Sequence, residues 1–136
     1  MKYTIKEYEN YNEQEIIDLY NSVGWTNYTN NPNMLKNAYS NSLKIYGAYA
    51  EDKLVGIIRV VGDGFSVVFI QDILILPKYQ GQGIGTALLQ RILNEYKDVY
   101  QKHLLTENTD KTIGFYKSIG FEMDTDIDCR AFTKIY

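Results

Sequence analysis

A chain of 136 residues is long enough to bury one core without disulfide or metal staples, and it is read as a single domain, 1–136. Its 45% hydrophobic and 23% charged content belongs to a globular protein, and a formal charge of −3 with no basic cluster speaks against nucleic acid as a partner. No apolar run reaches the ~20 residues that span a bilayer, no secretory leader is visible, and the single cysteine, Cys129, cannot close an intramolecular disulfide, so a cytoplasmic location is expected.

Tyr3 to Tyr8 alternates weakly and predicts a first strand. Asn12 is placed to cap a helix in which Ile16, Leu19, Tyr20 and Val23 recur at helical spacing, with Gly24 as its stop. Trp25 to Asn33 is polar and asparagine-rich and reads as a loop. A second short helix from about Pro32 presents Met34 or Leu35 together with Ala38 and Tyr39, the proline being tolerated where its N–H would be unpaired anyway. Leu43–Ala50, the turn Glu51-Asp52-Lys53 and Leu54–Val61 predict an antiparallel hairpin. Gly62-Asp63-Gly64 then turns into Phe65–Leu76, a nearly continuous apolar run with the pattern of a central strand covered on both faces. Asp72 interrupts that run, and a carboxylate inside a buried strand needs a partner or a task.

The stretch Leu76-Pro77-Lys78-Tyr79-Gln80-Gly81-Gln82-Gly83-Ile84-Gly85 joins this strand to an amphipathic helix with Leu88, Leu89, Ile92, Leu93 and Tyr96 on one stripe. Glycines here allow positive φ and close backbone approach, and the unpaired N–H groups of the helix's first turn face outward at the positive end of its dipole. Such a junction suits a pyrophosphate. It is not a P-loop, which needs Gly-Lys-Ser/Thr where this chain has Gly85-Thr86. Nor is it a dinucleotide turn, whose G-x-G-x-x-G is here G-x-G-x-G.

Val99–Thr106 predicts another strand and Asp110–Ile119 a short helix ended by Gly120. Phe121–Asp124 and about Asp128–Ile135 predict two closing strands. The order β-α-α-β-β-β-α-β-α-β-β describes a mixed α/β fold with helices on both faces. Thirteen tyrosines are many for this length, and they are expected either to line a surface or aromatic substrate pocket or to populate strands. Cys129 is expected to pack inside, since His103, the only histidine, offers no paired base for a nucleophile.

Gln80, Gly83 and Gly85 fit the pattern Gln/Arg-x-x-Gly-x-Gly/Ala. Ile113-Gly114-Phe115-Tyr116-Lys117-Ser118-Ile119-Gly120-Phe121-Glu122 adds a short helix carrying a tyrosine before a Gly-Phe strand entry. In this order the two blocks resemble the coenzyme A site of the GCN5-related N-acetyltransferase (GNAT) family, and the element order resembles its mixed, mostly antiparallel fold along essentially the whole chain. Val23-Gly24-Trp25, Asp72, the Tyr79–Gly83 run and the Tyr116 block are more loosely similar to the small arylalkylamine acetyltransferases of serotonin type.

The resemblance implies acetyl-CoA as co-substrate, lying in a splay between the long strand and the strand that begins near Val99. The backbone of Ile73, Leu74 and Ile75 is expected to pair with the pantetheine arm, whose amides use the hydrogen bonds of a peptide. The N–H groups of Gln80, Gly81, Gln82, Gly83, Ile84 and Gly85 are expected to hold the pyrophosphate, with the Thr86 hydroxyl beside them, and an N–H near Ile73 to polarise the acetyl carbonyl. The family often places an asparagine seven residues before the tyrosine. That position is Thr109 here, so Asn108, one residue earlier, is carried as a cofactor contact.

The implied reaction is direct acetyl transfer to the amine of a small molecule. An alkylammonium of pKa about 10 must first lose a proton. Asp72 is the first candidate for the base or a water-mediated path, with a structural hydrogen bond at a strand bulge as its alternative. Glu107 is the second, against a plain surface charge. Tyr116 stands where the family protonates the departing thiolate, against simple core packing. Trp25 and Tyr28 are expected to hold the amine by cation–π contact or stacking, or Trp25 to plug its loop onto the core; Tyr49 and Arg59 are more remote contributors. Rival readings on the same fold are a protein N-terminal or lysine acetyltransferase, which needs an open groove, and a non-catalytic acyl-CoA-binding sensor. No metal is expected, and exposed strand edges near the C-terminus leave room for a homodimer.

Overall fold

A computed structural model describes residues 2–135, which fall into two compact units, one up to Leu104 and one from Leu105. The first unit contains β1 (Thr4–Glu7), α1 (Glu13–Ser22), α2 (Thr26–Thr29), α3 (Pro32–Ser40), β2 (Lys44–Ala50), β3 (Lys53–Gly62), β4 (Val67–Ile75), α4 (Ile84–Glu95) and β5 (Gln101–Leu104). The strands lie in the order β1-β2-β3-β4-β5, antiparallel except for the parallel β4–β5 pair. This is the mixed, mostly antiparallel α/β sheet expected.

The local signals act as anticipated over most of this unit. The Asn12 side chain accepts the Glu15 N–H at 3.0 Å and caps α1, whose Ile16, Leu19 and Tyr20 are buried. Leu35 and Tyr39 of α3 join them in one core with Ile45, Ile57 and Leu74, while Met34 faces outward. Ile84, Leu88, Leu89 and Ile92 give α4 its buried stripe. The expected loop at Trp25–Asn33 holds one helical turn, α2, because Asn30 and Asn31 N–H groups close back onto Thr26 and Tyr28 carbonyls. Glu51 and Asp52 both have positive φ, a two-residue hairpin turn, so Lys53 belongs to β3 rather than to the turn.

β4 departs from expectation in one decisive way. It is not covered on both faces throughout: Val68, Ile70, Asp72 and Leu74 are buried and the residues between them are half-buried or exposed. Its pairing with β3 also shifts. Arg59 opposes Asp72 and Val60 opposes Ile70, which leaves Gln71 as an extra residue, a β-bulge. Paired residues share a face, and Arg59 and Val60 are neighbours on opposite faces. The bulge therefore puts Ile70 on one face and Asp72 on the other, where α1 and α3 pack. In an unbulged strand, with Gln71 in register, Asp72 would point to the Ile70 side.

The second unit contains α5 (Asp110–Ser118) and a 3-10 turn at Asp124–Ile127. The two closing strands expected at Phe121–Asp124 and Asp128–Ile135 do not form. The Phe121 N–H is taken by Tyr116 C=O and the Cys129 N–H by Asp124 C=O, and Asp128 turns the chain at φ 57°. Local turns consume the backbone groups a ladder would need. Phe132 is 94% exposed, and Cys129, expected inside, is exposed as well. The strand expected at Val99–Thr106 is confined to the four residues of β5.

Candidate active site

Pro77–Tyr79 forms a 3-10 turn after β4, and the chain then runs through Gly81 and Gly83 into α4. Gly81 and Gly83 have φ of 78° and 83°, a region costly for any residue with a Cβ, and open space lies where a Cβ would stand on either. Gly83 caps α4 with no side chain satisfying the first turn. Among the described residues, the N–H groups of Gly81 to Thr86 meet no hydrogen-bond acceptor. The first helical bond is Ala87 N–H to Gly83 C=O at 3.0 Å. A row of free donors at the positive end of a helix, with no side chain in front of it, fits a diphosphate.

Gln80, expected among these donors, is already engaged within the chain. Its N–H closes the 3-10 turn on Pro77 C=O at 3.2 Å, and its side chain donates to Ile75 C=O at 3.0 Å. Gln80 ties the loop to the end of β4, and the row of free donors runs from Gly81 to Thr86 rather than from Gln80 to Gly85.

β5 pairs with β4 only from Val67 to Ile70, so beyond the bulge one edge of β4 is open within this unit. In a ladder each residue's N–H and C=O point to one neighbour and the next residue's to the other. Before the bulge the even-numbered residues face β5, as in the 2.9 Å bond from Gln101 N–H to Ser66 C=O. After it, Leu76 N–H reaches Val55 C=O of β3 at 2.8 Å. By alternation Leu74 faces β3 too, and Ile73 and Ile75 face the open edge. Leu74 therefore has no free backbone group for a ligand, contrary to expectation. The free groups on that edge are both polar atoms of Ile73 and the N–H of Ile75.

Asp72 lies at the bulge, 2% exposed. Its Oδ2 accepts from Arg59 Nε and from Tyr20 Oη, each at 2.7 Å, and its Oδ1 accepts from Tyr28 Oη at 3.1 Å. Arg59 also donates to Ser42 Oγ at 3.2 Å, and Tyr39 Oη lies 2.9 Å from Tyr20 Oη. Burial, joined by the neighbouring hydroxyl and the Asp72 charge, pushes the Tyr20 phenol far above its ordinary range, and burial likewise raises Tyr39 and Tyr28. These groups hold their protons. Three of the roughly four acceptor sites of the carboxylate are filled by protein donors and the side chain is buried, so the geometry suits Asp72 to organising its neighbours better than to acting as the base.

Trp25 and Tyr28 come together, stacked with ring centroids 6.1 Å apart and planes 30° off parallel. Both rings pack on Tyr20, at 6.0 and 5.1 Å. Tyr28 Oη also receives Gln71 Nε2 at 3.3 Å, so the pair borders the bulge. Tyr49 is elsewhere, half-buried under Lys6, whose Nζ is 4.4 Å from its ring. Arg59 was expected only as a remote pocket contributor; its place as the Asp72 partner, and Tyr20's as a donor, had no signal beyond an arginine in the neighbouring strand and a phenol on an apolar helix face.

In the second unit Thr109 caps α5 by accepting the Thr112 N–H at 3.2 Å. That leaves the exposed Asn108, just before the cap, free of a capping duty. Glu107 is exposed, and its carbonyl accepts from the Thr112 hydroxyl at 2.6 Å. Tyr116 is half-buried between Phe115 and Phe121, at 5.0 and 5.9 Å between ring centroids. Burial raises its phenol pKa, and a hydrogen bond from Thr106 works against that rise. Among the described residues no cluster of His, Cys, Asp or Glu could hold a metal ion, and no helix is long and apolar enough to cross a membrane.

Comparison with known proteins gives concordant results. The family model for an acetyltransferase (GNAT) domain matches residues 41–123. A GNAT-family acetyltransferase from Streptococcus pneumoniae TIGR4 is 47% identical and superposes with a TM-score of 0.90 over 99% of this chain and 98% of that one. An uncharacterized ycf52-like N-acetyltransferase of Prochlorococcus marinus is 32% identical over 81% of this chain and 62% of that protein. Serotonin N-acetyltransferase 2, chloroplastic, of Oryza sativa is 29% identical over 53% of this chain. The chain spans 62% and 36% of the lengths of these two curated relatives.

Proposed function

The chain belongs to the GNAT acetyltransferase family, and from that premise we propose that it moves an acetyl group from acetyl-CoA directly to the amine of a small molecule, with 1–136 serving as one N-acetyltransferase domain. The observation that carries this reading is the row of unpaired N–H groups from Gly81 to Thr86, just past the open edge of β4.

These N–H groups bind the diphosphate at the N-terminus of α4, and the Thr86 hydroxyl adds a donor. Ile73 and Ile75 receive the amide-bearing arm in the manner of an added strand. The Ile73 N–H polarises the acetyl carbonyl; a donor of this kind contributes on the order of 2.7–4 kcal/mol to lowering a barrier. Acetyl-CoA, when bound, supplies a thioester carbon open to attack by an amine. Tyr116, like any phenol with a pKa of about 10 or above, carries its proton through the neutral range and can give it to the departing sulfur. Glu107, exposed, accepts the proton that the ammonium loses, and Asn108 serves as a cofactor contact.

Trp25 and Tyr28 hold the amine, through cation–π contact worth about 0.5–2 kcal/mol or by stacking. Their stacked rings, and the name of the rice relative, support arylalkylamines as the substrate class. A cytoplasmic location and a homodimer belong to the same proposal and rest on the sequence alone.

Thiol release from acetyl-CoA with a panel of arylalkylamines, polyamines and peptides tests the reading. Turnover on a small amine is expected. Turnover on peptides alone would reassign the acceptor to protein, and tight acetyl-CoA binding without turnover on any acceptor would overturn the enzyme reading in favour of a sensor.

A further inference from the structure

Asp72 dictates where the protons of its neighbours lie. Tyr20 has a single hydroxyl proton and gives it to Asp72 Oδ2 at 2.7 Å, so Tyr39, 2.9 Å away, must donate to Tyr20. Arg59 Nε fills the other position on Oδ2, also at 2.7 Å. Every donor around the carboxylate thus points inward. Tyr28 follows the same rule: its proton goes to Oδ1 at 3.1 Å, and its lone pairs are left facing Gln71, whose exposed amide donates to them at 3.3 Å. The ring is pinned between Trp25 and Tyr20. A phenol held in this way accepts hydrogen bonds on its outer side and has no proton to offer there.

On the basis of the proposed function, we infer that Tyr28 Oη accepts a hydrogen bond from the acceptor amine's N–H, taking the place of the Gln71 amide, and that Arg59, Asp72 and Tyr20 are positioning residues that keep it in the accepting state. The ligand class is an amine or ammonium that carries at least one N–H beside an aromatic or alkyl body. A quaternary ammonium brings the same charge to the Trp25 and Tyr28 rings but has no donor for Oη, so this oxygen separates the two.

The probes are tryptamine and its N,N,N-trimethyl derivative, titrated calorimetrically into the whole protein in the presence of coenzyme A, so that no acetyl group is transferred during the measurement. The wild type is expected to bind tryptamine at least tenfold more tightly than the trimethyl compound. Tyr28→Phe keeps the ring packing and removes only the oxygen, and the preference should fall below twofold. Asp72→Asn tests the positioning: Arg59 and Tyr20 are donors and will hold the carbonyl oxygen of the introduced carboxamide, which turns its N–H toward Tyr28. The phenol proton is then driven outward and the preference should again be lost, with acetyl-CoA affinity retained as evidence of a folded protein. An unchanged preference in Tyr28→Phe, equal binding of both probes by the wild type, or binding of neither by a protein that takes up acetyl-CoA overturns the inference and leaves the proposed function standing. Failure of the wild type to take up acetyl-CoA overturns the proposed function and this inference with it.

Discussion

The Arg59 guanidinium and the Asp72 carboxylate meet at 2.7 Å on paired positions of β3 and β4, with side chains 5% and 1% exposed. The extra residue Gln71 brings them to one face. A pair so deeply buried stabilises mainly through its completeness, because removing one partner strands the other in a medium that solvates charge poorly. Arg59→Met is expected to cost about 3–5 kcal/mol, and the double change Arg59→Met, Asp72→Leu to recover most of that loss. Urea denaturation of the three proteins checks both, and a double variant no more stable than the single one would contradict the account.

Two glycines with positive φ should respond differently to substitution. At Gly62, φ 132°, an added Cβ would lie 2.4 Å from Val67 C=O, whereas at Gly83 it would meet open space. Gly83→Ala should cost roughly 1–2 kcal/mol of backbone strain, and Gly62→Ala clearly more. Affinity for acetyl-CoA should reverse the order: Gly83→Ala weakens it at least tenfold by filling the cradle, and Gly62→Ala leaves it within twofold. Melting curves and calorimetry on the same two variants measure this.

Tyr116→Phe should lower turnover more than tenfold and leave acetyl-CoA affinity nearly unchanged, since the ring's packing on Phe115 and Phe121 does not need the hydroxyl. Steady-state kinetics with a turned-over amine, alongside direct binding, separates the two effects. Unchanged turnover would remove the acid role.

Alkaline pH should unfold the protein through its buried phenols. Burial raises the folded-state pKa of Tyr8, Tyr20 and Tyr39 above the ordinary value of 10. Above pH 10 the unfolded chain gives up protons that the folded chain keeps, so each rise in pH favours unfolding, by up to about 1.4 kcal/mol per pH unit for each such tyrosine. Full stability is therefore present below about pH 10 and is lost as pH climbs toward the folded values. Urea midpoints at pH 8, 10 and 11 should show the fall, and Tyr20→Phe should make it shallower.

Much of the glycine turn proposed to hold the cofactor is legible in the sequence because its physics is local. Gly81, Gly83 and the start of α4 are set by φ angles and by the unpaired first turn of a helix, and the Asn12 cap and the Glu51-Asp52 turn are equally short-range. What the sequence hides are relations across the sheet. The apolar run of β4 reads as one strand, and nothing in residues 67–75 marks Gln71 as extra, so neither the turning of Asp72 toward Arg59 nor that of Leu74's backbone toward β3 can be seen in it. Tyr20 reads as a core position because helical spacing reports burial and says nothing of where a hydroxyl points. The closing strands fail for a related reason: alternation in 128–135 names two faces, but a strand also needs an edge to pair with, and Phe121 and Cys129 spend their N–H groups in local turns.

Calorimetric titration of acetyl-CoA into the wild type and Gly83→Ala tests the central claim, that the N–H groups of Gly81 to Thr86 hold its diphosphate, most directly. Saturable binding by the wild type, weakened at least tenfold in the variant, is the predicted result. No uptake by folded wild-type protein at millimolar acetyl-CoA, or equal affinity in the two, would contradict it.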